Sequence, residues 1–277
     1  SGNNVSYRGY VDYNADRYGL QLERLVVEPN FLPEVGFVRR TDMGRYFGQA
    51  RYSARPRTVP FLRRISTFAS LNYVTNTTKR LDTREATGRI ETEFTSSDLL
   101  SVGYTDNFER LVRPFTIAPG VTVPIGAYDF YTTRVSYTAG QQRPVSGEIV
   151  LETGAFYNGD RTSITLNSGR VQVTPQISLE PSFSVNRVML PQSEVTLKVG
   201  RLRATYTLTP RMFVSGIVQY NSAGSSFGSN VRFRWEYRPG SELFVVYTDD
   251  FDTDARTNMP SLRNRAFVVK ANRLFRL

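Results

Sequence analysis

The sequence predicts an all-β protein. It reads as an antiparallel, up-and-down transmembrane β-barrel with about 15–16 strands visible, forming the whole or part of a larger barrel. Three observations predict it. Polar and apolar residues alternate with period two along most of the chain, which gives each strand one apolar face. Short connections tend to alternate with long ones. Tyrosines recur near the strand ends, at Tyr13, Tyr52, Tyr73, Tyr104, Tyr137, Tyr157, Tyr206, Tyr220, Tyr237 and Tyr247, as expected at membrane–water borders.

Each element follows from its own pattern. Tyr7, Gly9, Val11 and Tyr13 alternate with Ser6, Arg8, Tyr10 and Asp12, giving a strand over 4–14, and a second follows over 17–28. Tyr46, Gly48, Ala50 and Tyr52 alternate with Arg45, Phe47, Gln49 and Arg51 over 43–55, and 61–74 comes next. Ala86, Gly88, Ile90, Thr92 and Phe94 alternate with Glu85, Thr87, Arg89, Glu91 and Glu93 over 81–95, before strands at 98–111 and 127–140. Val145, Gly147, Ile149 and Leu151 mark 144–157, followed by 161–173. Ile177, Leu179, Pro181, Phe183 and Val185 mark 176–189, followed by 194–208 and 211–222. Val231, Phe233, Trp235 and Tyr237 interleave with Arg232, Arg234, Glu236 and Arg238 over 228–238, and 241–249 and 264–277 complete the set. Phase slips near Gly169 and Gly200 predict bulges.

Tight turns are expected near 15–16, 96–97, 141–143, 174–175, 209–210 and 239–240. Long connections fall at 29–42, 112–126 and 250–263, with smaller ones near 75–80, 158–160, 190–193 and 223–227. An up-and-down meander with tight turns at one rim produces this alternation.

A soluble β-sandwich or propeller also alternates. A propeller would show a repeat near 40–50 residues, and none is visible. About fifteen strands in one meander leave long edges unless the sheet closes, and they enclose more volume than the apolar residues can fill. Turning the apolar face to lipid removes both difficulties.

Composition excludes several chemistries. With no Cys and no His there is no disulfide framework, no thiolate or imidazole metal site, no cysteine nucleophile and no Ser-His-Asp triad. The longest apolar run, Leu243 to Tyr247, is too short for a membrane helix. No secretory signal opens the chain, so a mature form, a fragment or a cytosolic protein is expected. The last strand presents Phe267, Val269, Ala271, Arg273, Phe275 and Leu277 on one face. It resembles the terminal signal of bacterial outer-membrane barrels, with Arg273 as a departure. An odd strand count would start the first strand at the extracellular rim, so one further strand upstream of Ser1, or a count off by one, is expected.

Four segments carry a family resemblance: NFLPEVGFVRRTDMGRYFGQARYSARPR (30–57), NFERLVRPFTIAPGVTVPIGAYDFYTTRVSYT (107–138), FRWEYRPGSELFVVYTDD (233–250) and NRAFVVKANRLFRL (264–277). Together they resemble the C-terminal outer-membrane barrel of a bacterial family of unknown function. Its members typically carry an N-terminal domain similar to family-nine carbohydrate-binding modules; that domain and the first barrel strands are expected to be missing from this chain. The resemblance implies fold and location. It supplies no catalytic residues.

The candidate site is the face read as the lumen: Arg8, Asp12, Glu23, Arg45, Arg51, Glu85, Arg89, Glu91, Glu93, Arg134, Glu148, Glu152, Glu180, Lys198, Arg201, Arg203, Arg232, Arg234, Glu236, Lys270 and Arg276. Acids gather on the middle strands and arginines on the last five. This reads either as a transverse field that orients solutes or as a salt-bridged wall that stiffens or closes the lumen. Only three of the 35 Lys and Arg residues are lysines, which suits bidentate carboxylate pairing. Segment 113–130, with Arg113, Phe115, Pro119 and Pro124, reads as a constriction folded into the lumen or a lid on the rim.

Asp249, Asp250, Asp252 and Asp254 resemble a calcium loop. Counted from Asp250, Ala255 stands where Gly is required and no Glu closes the loop at position twelve, so no metal is expected. The pair Glu91 and Glu93 is explained by the acidic wall without acid–base catalysis. Net charge +10 is spread over alternate positions rather than forming a nucleic-acid patch, which points to lipopolysaccharide phosphate instead.

The expected function is passive, with no enzyme activity and no cofactor: a bacterial outer-membrane pore, or an anchor and translocation scaffold. The alternatives are a surface protein tethering a glycan-binding domain and a structural subunit of a larger outer-membrane assembly. Expected partners are membrane lipid, lipopolysaccharide and other outer-membrane or periplasmic proteins.

Overall fold

A computed structural model describes residues 2–38, 40–253 and 260–275. Among these it contains only strands, turns and irregular segments. In chain order the strands begin with β1 (Ser6–Asn14), β2 (Tyr18–Val27), β3 (Met43–Ala54), β4 (Leu62–Thr75), β5 (Leu81–Phe94) and β6 (Leu99–Leu111). Next come β7 (Phe115–Ala118), β8 (Val121–Val123), β9 (Gly126–Ala139), β10 (Val145–Phe156), β11 (Gly159–Thr174) and β12 (Ile177–Leu190). The last are β13 (Ser193–Thr209), β14 (Met212–Asn221), β15 (Ser226–Arg238), β16 (Ser241–Asp252) and β17 (Ser261–Ala271). Fifteen of them form one sheet in chain order, with β1 and β17 as edge strands. β7 and β8 pair separately as a hairpin. No ladder closes the sheet into a barrel among the described residues.

The chain divides into two compact units. The first is Ser1–Tyr137, Leu151–Thr162 and Val188–Val195, and the second is Thr138–Val150, Ser163–Arg187 and Thr196–Leu277.

In the first unit the register from β1 to β6 aligns one apolar face. Val11 lies opposite Leu22, Leu22 opposite Gly48, Gly48 opposite Leu71 and Leu71 opposite Ala86. Two rows nearer the tight turns, Thr67, Ile90 and Val102 are aligned. This face is exposed: Val11, Leu22, Leu71, Ile90, Val102 and Tyr104 all lie open. Charges on it sit at the end of the long connections, where Arg84 meets Asp106 at 3.1 Å and Asp129 at 3.3 Å. The opposite face buries polar groups, among them Glu23, Ser53, Ser66 and Ser101.

The second unit repeats the division. Leu202 lies opposite Val218, Val214 opposite Phe233, Phe233 opposite Val245 and Val245 opposite Val269. Trp235 stays 43% exposed and Phe183 43%. The interleaved face carries Arg203, Ser215, Arg232 and Arg234. The charges on the apolar parity again fall at the long-connection end, where Arg265 meets Asp249 at 2.7 Å.

Local chemistry sets the turns. Gly240 (φ +75) makes the β15–β16 turn, and an added Cβ there would meet Leu274 Cδ2 at 2.7 Å. The Leu274 amide donates to the buried Ser241 hydroxyl at 3.0 Å, and the Tyr237 hydroxyl donates to the Asn272 carbonyl at 2.8 Å. Asn272 still exchanges both backbone hydrogen bonds with Glu242, and residues 273–275 then leave the ladder and cover this turn. The last strand ends at Ala271, earlier than its alternation suggests. Arg273 lies over the Phe275 ring at 5.0 Å, and Leu277 falls outside the described residues.

Two further expectations change. Segment 112–126 contains a hairpin rather than a plain loop, because Pro119 and Gly120 (φ +80) form a two-residue turn between alternating runs. The β13–β14 register runs unbroken through Gly200, and its shift falls between Thr207 and Thr209. Near Gly169 the irregularity is visible at Ser168, with φ +50.

Candidate functional site

The polar face of the first unit is an ion-paired lattice. Buried Glu23 accepts from Arg8 at 2.6 Å and from Arg45 at 3.2 Å. Glu23 lies opposite Tyr10 on one side and Phe47 on the other, so both arginines are its diagonal same-face neighbours. Arg45 also donates to Asn72 at 2.7 Å, which extends the row from β1 to β4. Arg51 turns to the rim and donates to Asn14 at 2.8 Å and to the Asp16 carbonyl at 3.1 Å. Glu93 meets Arg63 at 2.9 Å and Arg64 at 3.0 Å. Glu91 meets Arg89 at 3.0 Å, whose guanidinium also lies over Phe68 at 4.4 Å. Glu152 pairs with Arg134 at 3.4 Å and with Arg161. These carboxylates are thus compensated in place rather than forming an acidic wall. Glu85 has no ion-pair partner among the described residues.

The β7–β8 hairpin lies on the same face, at the long-connection end. The Tyr157 ring stands 5.9 Å from Phe115, 5.3 Å from Tyr128 and 5.2 Å from Phe130. Its hydroxyl donates to Glu109 at 2.8 Å. Tyr128 and Phe130 alternate with Tyr131, which stacks at 6.0 Å on the exposed Tyr104 of the apolar face. The cluster therefore belongs to the polar side. Val121 and Val123 are buried, and Gln192 donates to the Thr122 carbonyl at 2.9 Å. The Pro124 carbonyl accepts from the Tyr128 hydroxyl at 2.8 Å. Arg113 lies just before β7, and Pro119 occupies the hairpin turn. Burial first, and then the Glu109 carboxylate, push the Tyr157 phenol far above its usual range.

In the second unit Glu148 accepts from Asn167 at 3.1 Å, and Glu180 approaches Arg203 only to 3.9 Å. Arg234 is clamped by Glu242 through two nitrogens. Glu236, directly opposite Glu242, accepts instead from the Gly240 amide at 3.0 Å, which closes the β15–β16 turn. Arg201, Arg232 and Lys270 have no ion-pair partner among the described residues. Arg203, Arg232, Arg234 and Glu242 line a cavity of about 490 Å³ with Thr205, Ser215, Asn230 and apolar Phe213, Ile217 and Phe244.

Lys198 has the parity of exposed Leu202 and so stands on the apolar face rather than with Arg201. Arg276 is outside the described residues. So are Asp254 and Ala255 of the acidic run, where Asp249 and Asp252 are taken up by Arg265 and Arg263.

Sequence reasoning missed Glu109, Glu242 and the aromatic wall, and it read Tyr157 as a membrane–water border tyrosine where the structure puts it in that wall. Tyr128 and Phe130 did carry the parity signal. Glu242 did not, because the following run Leu243 to Tyr247 is apolar on both faces and hides the phase. No protein-family model, no curated protein and no solved structure matches the chain.

Proposed function

We propose that this chain is the membrane-spanning sheet of a bacterial outer-membrane β-barrel whose polar face lines a solute pathway. One observation carries the reading: one face is apolar and lies open, and the charged side chains are gathered on the other face. Leu151 is 44% exposed and Ile90 52%, while Glu23 is only 9% exposed and Ser53 2%. Soluble monomers rarely expose apolar patches beyond a few hundred Å². Acyl chains remove that cost. Strands β3 to β6 have 12 to 14 residues, enough to cross a bilayer at a tilt. Charges on the apolar parity stay at one rim, where headgroups and water would solvate them. In lipid no strand edge stays unpaired, so the reading requires ladders along the outer sides of β1 and β17.

Trp235 is the only tryptophan and lies on the apolar face. Reconstitution into vesicles with brominated acyl chains should quench its fluorescence strongly, while aqueous iodide should quench it weakly. The reverse pattern would overturn the proposal.

A second reading, a membrane anchor with little conductance, is favoured by the hairpin laid on the polar face and by the compensated lattice. Single-channel recording separates the two. The family resemblance supports the same architecture and extends the anchor reading to a tether for a glycan-binding domain or a subunit of a larger assembly. Glycan binding by a parent chain, or stable co-purification with other chains, tests those extensions.

A further inference from the structure

We propose that the cavity on the polar face of β13 to β16 binds a small organic oxyanion, a carboxylate or phosphate ester with an apolar part. The register builds it in three rows. Thr205, Ser215 and Arg232 lie in one, Arg203, Ile217 and Asn230 in the next, and Phe213, Arg234 and Phe244 on the other side. Three guanidinium groups, several neutral donors and an apolar floor therefore share one concavity of about 490 Å³.

The charge balance within it is uneven. Glu242 is the only carboxylate in the lining among the described residues, and Arg234 consumes it. Glu242 and the flanking rings of Phe213 and Phe244, 5.8 and 5.9 Å away, hold Arg234 as a fixed wall. Arg203 has only the distant Glu180 as an ion-pair partner among the described residues, with both side chains close to half exposed. Arg232 has no acid at all among the described residues. Elsewhere Glu23, Glu91, Glu93 and Glu152 each hold at least one arginine. Here two forks remain open, and a carboxylate or phosphate group accepts such forks two bonds at a time. Phe213, Ile217 and Phe244 would cover the apolar part. Low-dielectric walls strengthen the field that draws the anion in.

The site's role in permeation rests on the pore reading, whereas binding needs only the polar face. The test uses the full chain in detergent at low ionic strength, with phenyl phosphate as probe and phenol as the neutral control. Calorimetry should show saturable binding of phenyl phosphate and none of phenol. Arg203→Gln with Arg232→Gln should weaken binding about tenfold or more. Arg232→Lys, which keeps the charge and loses the fork, should fall between. Arg17→Gln in the β1–β2 turn should leave binding unchanged. Absence of saturable binding, or an equal loss in Arg17→Gln, overturns the site. Reversal potentials under a KCl gradient are read in parallel and should show anion preference that drops in the double variant. A silent bilayer with intact binding removes the pore reading and leaves the site standing. A conducting channel without binding removes the site alone.

Discussion

The Tyr157 hydroxyl donates to the Glu109 carboxylate across 2.8 Å, tying the β10–β11 turn to β6. The turn needs such a tie, because Tyr157 adopts φ +54, which is costly for a bulky residue. Rings of Phe115, Tyr128, Phe130 and Phe156 surround it. The Tyr157 ring also contacts the β7–β8 hairpin through Phe115.

A pH dependence follows from the tie. The Tyr157 phenol is raised by burial and then by Glu109, so the folded protein holds the proton more tightly than the unfolded chain. Its contribution is complete below about pH 10, the ordinary phenol value, and is lost as pH rises through the higher folded value. Tyr157→Phe should cost about 1–2 kcal/mol at neutral pH and should flatten the alkaline limb of a urea-unfolding series in micelles. An alkaline limb as steep as that of the wild type would show that the tie is idle.

The acid side has its own reporter. Asp42, just before β3, accepts from both the amide and the hydroxyl of Thr77, which together depress its pKa. Its contribution is present above the ordinary carboxylate value near pH 4 and is lost as pH falls through the lower folded value. Asp42→Asn should remove that acid sensitivity together with the contribution behind it, so the variant should be slightly less stable at pH 7 and equal to the parent in acid, the difference being small because the site is exposed. Proteolysis of the 28–42 connection against pH reads the change directly.

Glu23 holds Arg8 and Arg45 together. Replacing it by Gln leaves two cations facing each other over a buried amide. Glu23→Gln should cost about 1–3 kcal/mol, an amount moderated because Arg8 remains solvated. Arg8→Gln should cost less, because Arg45 still neutralises Glu23. Equal costs for the two variants would mean that the carboxylate is not the hub of the row.

The strands were legible because a period of two admits only one face assignment, and a one-residue slip would turn every side chain over. That is why Trp235, Phe183 and Leu151 were all placed on the exposed face. Ion-pair partners were not legible. Arg45 and Glu23 are 22 residues apart and meet only through the β2–β3 register, which alternation does not specify. Glu236 was assigned to the lumen by parity, yet at the strand end its carboxylate closes a turn, a local preference that periodicity does not encode. The hairpin was signalled by Pro119-Gly120 but hidden by the length of the connection around it.

Ile90 tests the orientation on which the functional reading depends. It lies mid-strand on β5, between Thr67 of β4 and Val102 of β6, six residues from Arg84 at the rim and 52% exposed. Six steps along a strand span about 20 Å, which puts Ile90 well inside an apolar band. If that face meets acyl chains, Ile90→Arg should cost about 2–4 kcal/mol in folding from urea into vesicles. If the face meets water, the same change should stay within about 0.5 kcal/mol. Glu85→Arg, on the opposite face of the same strand, is the matched control. It should be nearly neutral in vesicles, because that face is solvated and its carboxylate has no ion-pair partner among the described residues. A large cost for Glu85→Arg with none for Ile90→Arg would mean that the two faces had been assigned the wrong way round.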